Sequence, residues 1–260
     1  MNLPDVARTA ILTLICRTVE AEKKEPLIND PMAILCLEKL MTEASEEEKD
    51  WILKYKRRYE GRQSADVISN AKRQEIFDDI ANQFISSHPL CTVINLGCGF
   101  DTRFWRIDNA KCKYVEVDLP EVIELKKEIL KDHLAYELIG CSVLDTSWID
   151  KVTSKGNSSF LLIAEGLFMY LPAKEAASLL QAIAQRFHNS QLVLDMMPEK
   201  YTKGLWKWLG RLALRATWGL DVSFTYGIKN ASDMESYGFK VVDNVKGSVG
   251  PIITASTKTS

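Results

Sequence analysis

The sequence predicts an α/β fold: a mostly parallel, doubly wound sheet with a helical N-terminal extension and a helical insertion late in the chain. Three observations carry this. From about residue 89, short and nearly continuous apolar runs alternate with amphipathic stretches, the texture of a parallel sheet covered on both faces. A glycine turn, "GCG", follows the first of those runs. Before it, the chain reads as helix almost throughout.

The elements follow in order. Residues 4–85 hold "VARTAILTLICRTVEA", apolar at helical spacing, and "INDPMAILCLEKLM", where Asp30 is an N-cap ahead of Pro31 at the first helical position. "ISNAKRQEIFDDIANQFI" places Ile68, Ala71, Ile76, Ile80 and Phe84 on roughly one face. The strand candidates are "CTVINL", "CKYVEVDL", "YELIGC", "SFLLIAEG" and "SQLVLDMM". Helices such as "PEVIELKKEILKDH" and "AKEAASLLQAIAQRF" separate most of them. "FKVVDNV" and "PIITAST" add two strands joined by a Gly-containing turn. The expected organisation is one domain over 1–260: a helical cap (1–88), a ligand-binding core (89–200), a lid (201–226) and C-terminal strands (227–260).

Composition narrows the function. The chain has 260 residues with a formal net charge of -2, which disfavours nucleic-acid binding. No apolar run is long enough to span a bilayer, so stable membrane insertion is not expected. "MNLPDVARTAILTLICR" has an acidic residue ahead of its apolar stretch and no basic n-region, and reads as a mature helix. Of six cysteines none form a C-x-x-C pair, and His88, His133 and His188 do not cluster near them, so no metal site is expected. Unpaired thiols fit a reducing, cytoplasmic setting.

The insertion "YTKGLWKWLGRLALRATWGLDVSF" repeats Lys203, Lys207, Arg211 and Arg215 every four residues. Leu205, Trp208, Leu209, Leu212 and Trp218 populate the other side. Such a helix packs on the domain surface, covers a substrate pocket as a lid, or touches a membrane surface. As a lid it would bring Trp206 and Trp208 to the acceptor.

The glycine turn locates the ligand. A strand, a glycine turn and a helix bind a nucleotide-like molecule at the strand's C-terminal end. In "VINLGCGFDTRFWR", Gly97 and Gly99 allow a tight turn, but Asp101 follows where pyrophosphate is usually held. A ligand without phosphate tolerates that charge. S-adenosylmethionine is such a ligand, and an NAD-dependent reaction is disfavoured. Asp118 ends "YVEVDLP" about twenty residues later, the place of the carboxylate that holds ribose hydroxyls. Glu116 lies deeper in that strand. Glu165 ends "FLLIAEG" and faces the ligand crevice or caps a following helix; Tyr170 lines the acceptor pocket or packs beneath it.

"VINLGCGFDTRFWRI", "YVEVDLPEVIELKKEIL" and "AEGLFMYLP" together resemble the leucine carboxyl methyltransferase family, whose "GxGxDTR" motif includes the aspartate. The N-terminal "TAILTLICRTVEAEKKEPLINDPMAI" is similar to the bacterial, tetracenomycin-type branch. The resemblance covers most of the chain and is weakest after about residue 200. It implies a Rossmann-like class I fold and an S-adenosylmethionine-dependent O-methyltransferase. "AKRQEIFDD" matches the family's arginine context, so Arg73 would pair with the methionine carboxylate, with Arg17 as a second cation. The implied cofactor contacts are Arg73, Gly97, Cys98, Gly99, Asp118, Leu119, Ser142, Val143 and Glu165. One departure stands out: the family's Asp-Leu pair after the third strand is Ser142-Val143 here, with Asp145 available nearby.

No general base is evident, and a carboxylate acceptor needs none. The short chain and the bacterial-like N-terminus favour a small, polyketide-like acceptor. A protein C-terminus and a non-catalytic cofactor-binding module are the alternatives.

Overall fold

The computed structural model describes residues 5–60, 64–154, 159–247 and 250–257. The first part is helical: α1 (Asp5–Ala21), α2 (Pro31–Glu43), α3 (Glu46–Glu60) and α4 (Ala65–Ser87). Asp30 caps α2 as expected, its carboxylate accepting from the Ala33 N–H at 3.0 Å ahead of Pro31. The alternating part follows as β1 (Thr92–Leu96), α5 (Phe104–Ile107), β2 (Lys113–Asp118), α6 (Pro120–Leu130), β3 (Glu137–Gly140), α7 (Ser147–Thr153), β4 (Phe160–Ala164), α8 (Ala173–Arg186) and β5 (Gln191–Asp195). The chain ends with α9 (Gly204–Trp218), β6 (Phe239–Lys246) and β7 (Pro251–Thr257).

The seven strands form one sheet in the order β3-β2-β1-β4-β5-β7-β6. β1 to β5 are parallel, and β7 runs antiparallel between β5 and β6. Every residue of β1 and β4 is buried, which is why their sequences are continuous apolar runs and not alternating ones. One face packs on α7 and α8 through Trp148, Leu180, Ile183 and Phe187; the other packs on α4 through Phe77, Ala81 and Phe84. A further apolar cluster ties α1, α2 and α3 to Phe100, Ile129, Leu130, Leu220 and Val222.

This order fixes the site. Strand order reverses direction between the neighbours β1 and β4, so their outgoing loops part and leave a crevice at their C-terminal ends. Gly97 leaves β1 there, and Glu165 leaves β4 there.

Candidate functional site

A cavity of about 360 Å³ lies at that crevice, roofed by α1 and α4. Its lining includes Arg73, Gly97, Cys98, Gly99, Asp118, Leu119, Ser142, Val143, Glu165 and Tyr170, so residues distant in sequence meet in one space. Arg17 and Asp101 also reach it. Trp206 and Trp208 do not line it; they are 57% and 58% exposed on α9. From the expected lid segment, Trp218 and Phe224 reach the cavity instead, beside Leu12, Met169 and Leu171. The reason is helical phase: Trp218 ends α9 on the side that packs against the N-terminal helices, while Trp206 and Trp208 turn outward.

Backbone geometry at the turn explains its glycines. Gly97 and Gly99 have φ of 62° and 50°, in the left-handed region. A Cβ at Gly97 would meet Leu167 Cδ1 at 2.7 Å, and one at Gly99 would meet Ala10 Cβ at 2.6 Å. The turn is therefore pressed between the loop after β4 and α1. Asp118 clasps it: Oδ2 accepts from Gly99 N–H at 2.6 Å and Oδ1 from Leu119 N–H at 2.7 Å. Burial pushes the Asp118 carboxyl up even against these two donors.

Asp101 behaves differently from a bare charge at a helix start. It is buried and accepts from Arg103 N–H at 3.0 Å, Arg103 Nη1 at 2.6 Å, Asn95 Nδ2 at 2.9 Å and Arg17 Nη1 at 3.1 Å. Burial would raise its pKa, but Arg103, Arg17 and Arg106 outweigh that and hold it well below the usual carboxylate range. Its negative charge is thus spent within the protein, and repulsion of a phosphate is not its main effect. Instead it seats a network of buried ions.

That network was not foreseen in the sequence. Arg103, fully buried, donates to Asp78 at 2.7 Å, Gln74 at 2.9 Å and Glu165 at 2.6 Å. Arg106 pairs with Asp78 and Asp30, each at 2.6 Å. Beneath the turn, Lys126 Nζ pairs with Glu116 at 2.6 Å and donates to the Asp101 carbonyl at 2.6 Å. Arg73 contacts Glu165 at 2.6 Å and Asp195 at 3.4 Å, which makes it a cavity-wall ion pair and not a surface bridge. Glu165 feels burial upward, but Arg73 and Arg103 bring its pKa below the ordinary value. Asp195, also buried, accepts from Gly166 N–H at 2.7 Å, and burial raises its pKa. Its signal was present: like Asp118 and Glu165, it is an acid at the C-terminal end of a parallel strand.

Two smaller expectations resolve here. Ser142 Oγ accepts from Leu144 N–H at 3.2 Å, so one lone pair of the hydroxyl is already used. Asp145 lies outside the cavity lining and accepts from Ser147 N–H at 3.1 Å at the start of α7. His88, His133 and His188 are exposed and away from the cavity. At the distal end, Asn70 Oδ1 is buried and has no partner among the described residues, yet Asn70 lines the cavity.

The leucine carboxyl methyltransferase family model matches residues 10–184, which contain the turn, Arg73, Asp118 and Glu165. The chain belongs to the leucine carboxyl methyltransferase family. As a member it is an S-adenosylmethionine-dependent methyltransferase. It is similar to the tetracenomycin polyketide synthesis O-methyltransferase TcmP of Streptomyces glaucescens, at 27% identity over 91% of this chain and 80% of that protein. Leucine carboxyl methyltransferase 1 of Rattus norvegicus is 26% identical over 40% of this chain and 41% of its own length. Among solved structures, magnesium protoporphyrin IX methyltransferase from Synechocystis, with bound S-adenosylhomocysteine, shares the fold: TM-score 0.53, 14% identity, 82% of this chain and 95% of that one. No helix among the described residues is long and apolar enough to cross a membrane.

Proposed function

We propose that this family member transfers a methyl group to an oxygen of a small, largely apolar acceptor bound in the cavity roofed by α1 and α4. The observation that carries the reading is the balance of charge around the cavity. Of the charged side chains that line it, Arg17 and Arg73 face Asp66, Asp101, Asp118 and Glu165, and each cation is engaged by at least one of these acids. Acids outnumber bases, so the site suits a ligand of net positive charge more than a pyrophosphate. A sulfonium with an ammonium group meets that description, and the orphaned Asn70 oxygen is a further acceptor for a donor group.

Bound S-adenosylmethionine supplies an activated methyl group. This chain's residues then bind and orient. Asp118, held rigid by Gly99 and Leu119, would take the ribose hydroxyls. Val143 and Ser142 would border the adenine, and Arg73 would offer its remaining N–H groups to the methionine carboxylate. Gly97 and Cys98 would let the backbone approach closely, and Glu165 would fix Arg73 in place. Tyr170, Trp218 and Phe224 would exclude water and hold the acceptor for in-line attack.

The small-acceptor reading is supported by the apolar distal lining, Leu12, Met169, Leu171, Trp218 and Phe224, and by the greater extent of likeness to TcmP. Transfer of radiolabelled methyl to a panel of phenols, aromatic carboxylic acids and leucine-terminated peptides tests it. Labelling of a phenol or aromatic acid is the expected result. Labelling of peptides alone would move the acceptor to a protein C-terminus, and cofactor binding without any transfer would favour a binding module.

A further inference from the structure

Helix α9 turns its apolar face outward. None of its residues is buried, and of the eight large hydrophobic side chains exposed among the described residues, five lie on it: Leu205, Trp206, Trp208, Leu209 and Leu212. With about 100° between successive residues, Trp208, Leu212, Leu205 and Leu209 share one arc, with Trp206 at its border. The helix has no acidic residue. Lys207, Arg211 and Arg215 run along its side, with Lys200 and Lys203 just ahead.

The helix is held near both ends. Tyr201 packs edge-on against Trp206 at one. At the other, the Thr217 carbonyl accepts from Tyr55 Oη at 3.1 Å and Arg58 Nη1 at 3.0 Å, while Leu214 and Trp218 pack on the N-terminal helices. Two acids temper the charge: Glu199 pairs with Lys203 and Asp221 with Arg211. Among the described residues, no ion pair engages Lys200 or Lys207.

We propose that α9 is a docking surface for an anionic lipid bilayer. Trp208 and three leucines on one face, with Trp206 at its edge and Arg211 and Arg215 along one side, match the chemistry of a helix lying in the headgroup layer. Charge decides against a second copy of the chain. Pairing α9 with itself through this face would set its flank of Arg211 and Arg215 against a like flank, with no carboxylate on either helix to meet it. Docking is peripheral and needs no membrane span. Docking does not rest on the methyl-transfer reading, and it is measured without cofactor or acceptor.

The test is co-sedimentation of the full chain with vesicles of phosphatidylcholine alone and of phosphatidylcholine mixed with phosphatidylglycerol, with tryptophan emission followed in parallel. The account expects binding to the mixed vesicles only, a blue shift on binding, and weakening by salt. Arg215→Ala should lower the partition coefficient about five-fold. The Trp206→Ala, Trp208→Ala double variant should lose most binding while its circular dichroism and S-adenosylhomocysteine affinity stay unchanged. Equal behaviour toward both vesicle types overturns the proposal, as does unaltered binding by the double variant. A concentration-dependent dimer that this variant abolishes would assign the face to self-association, and tight binding to soluble polyglutamate in place of vesicles would assign it to an acidic protein.

Discussion

Arg103 Nη2 meets Glu165 Oε2 at 2.6 Å beneath the cavity, joining the loop after β1 to the end of β4 across the point where strand order reverses. Arg103 has no solvent exposure, and its other donors reach Asp78, Asp101 and Gln74. Its removal takes one partner from each of three buried carboxylates, leaving Asp78 to Arg106, Asp101 to Arg17 and Glu165 to Arg73. Arg103→Met is expected to destabilise the fold by about 3–5 kcal/mol, the cost of breaking a buried ion pair from one side. Chemical denaturation checks this. A loss under about 1 kcal/mol would mean the acids are satisfied without Arg103.

Acid separates binding from folding. Asp101 and Glu165 have depressed pKa values, because their arginine partners outweigh the effect of burial. Depressed carboxyls stabilise the fold above their unfolded pKa, and that stability is lost as pH falls through the folded value. Unfolded carboxyls titrate near about pH 4, so acid loss of stability from this pair begins below there. Asp118 shifts the other way, pushed up by burial. Its ionised form disappears at a higher pH than that of Asp101. Cofactor affinity should therefore fall in a pH range where circular dichroism is still native, and Asp118→Asn should abolish that step. Coincident loss of binding and structure would contradict this.

Arg73 contacts both Glu165 and Asp195 through a planar fork. If its free N–H groups take the methionine carboxylate, Arg73→Lys should weaken S-adenosylmethionine binding and leave adenosine affinity unchanged. Titration calorimetry with both ligands decides. Equal losses for the two would make Arg73 a structural residue.

Two tryptophans of one helix have different placements. Trp218 lines the cavity beside Phe224, whereas Trp206 is exposed. Trp218 is half-buried, so Trp218→Ala should raise the acceptor KM by up to about ten-fold, part of the ~1.5–3 kcal/mol that full burial of a large apolar side chain carries, and leave cofactor affinity alone. Trp206→Ala should change neither. Steady-state kinetics on an identified acceptor checks both.

The contrast between these residues shows what the sequence held. Strands were legible because β1 and β4 are buried on both faces and admit little but apolar residues. Gly97, Asp118 and Glu165 were legible because strand ends and glycine turns keep fixed spacing in chain order. The ion network was not, since Arg103 reaches Asp78 and Gln74 across α4, and no local pattern encodes a pairing 25 or 29 residues apart. The direction of Asp145 was hidden for a related reason: its closeness to Ser142 in sequence does not fix where it points, and its side chain turns to α7. The tryptophans of α9 were bulky enough for a pocket, but periodicity fixes which residues share a face and leaves open which face meets the protein.

The account's central claim is that the acid-rich cavity binds S-adenosylmethionine with Asp118 as an anchor. Isothermal titration of the wild-type chain and Asp118→Ala with S-adenosylhomocysteine and with NAD tests it most directly. The account predicts one site for S-adenosylhomocysteine, no measurable NAD binding, and a loss of about 1.5–3 kcal/mol in the folded variant. Unchanged S-adenosylhomocysteine affinity in Asp118→Ala, or NAD binding as tight as S-adenosylhomocysteine, would contradict it.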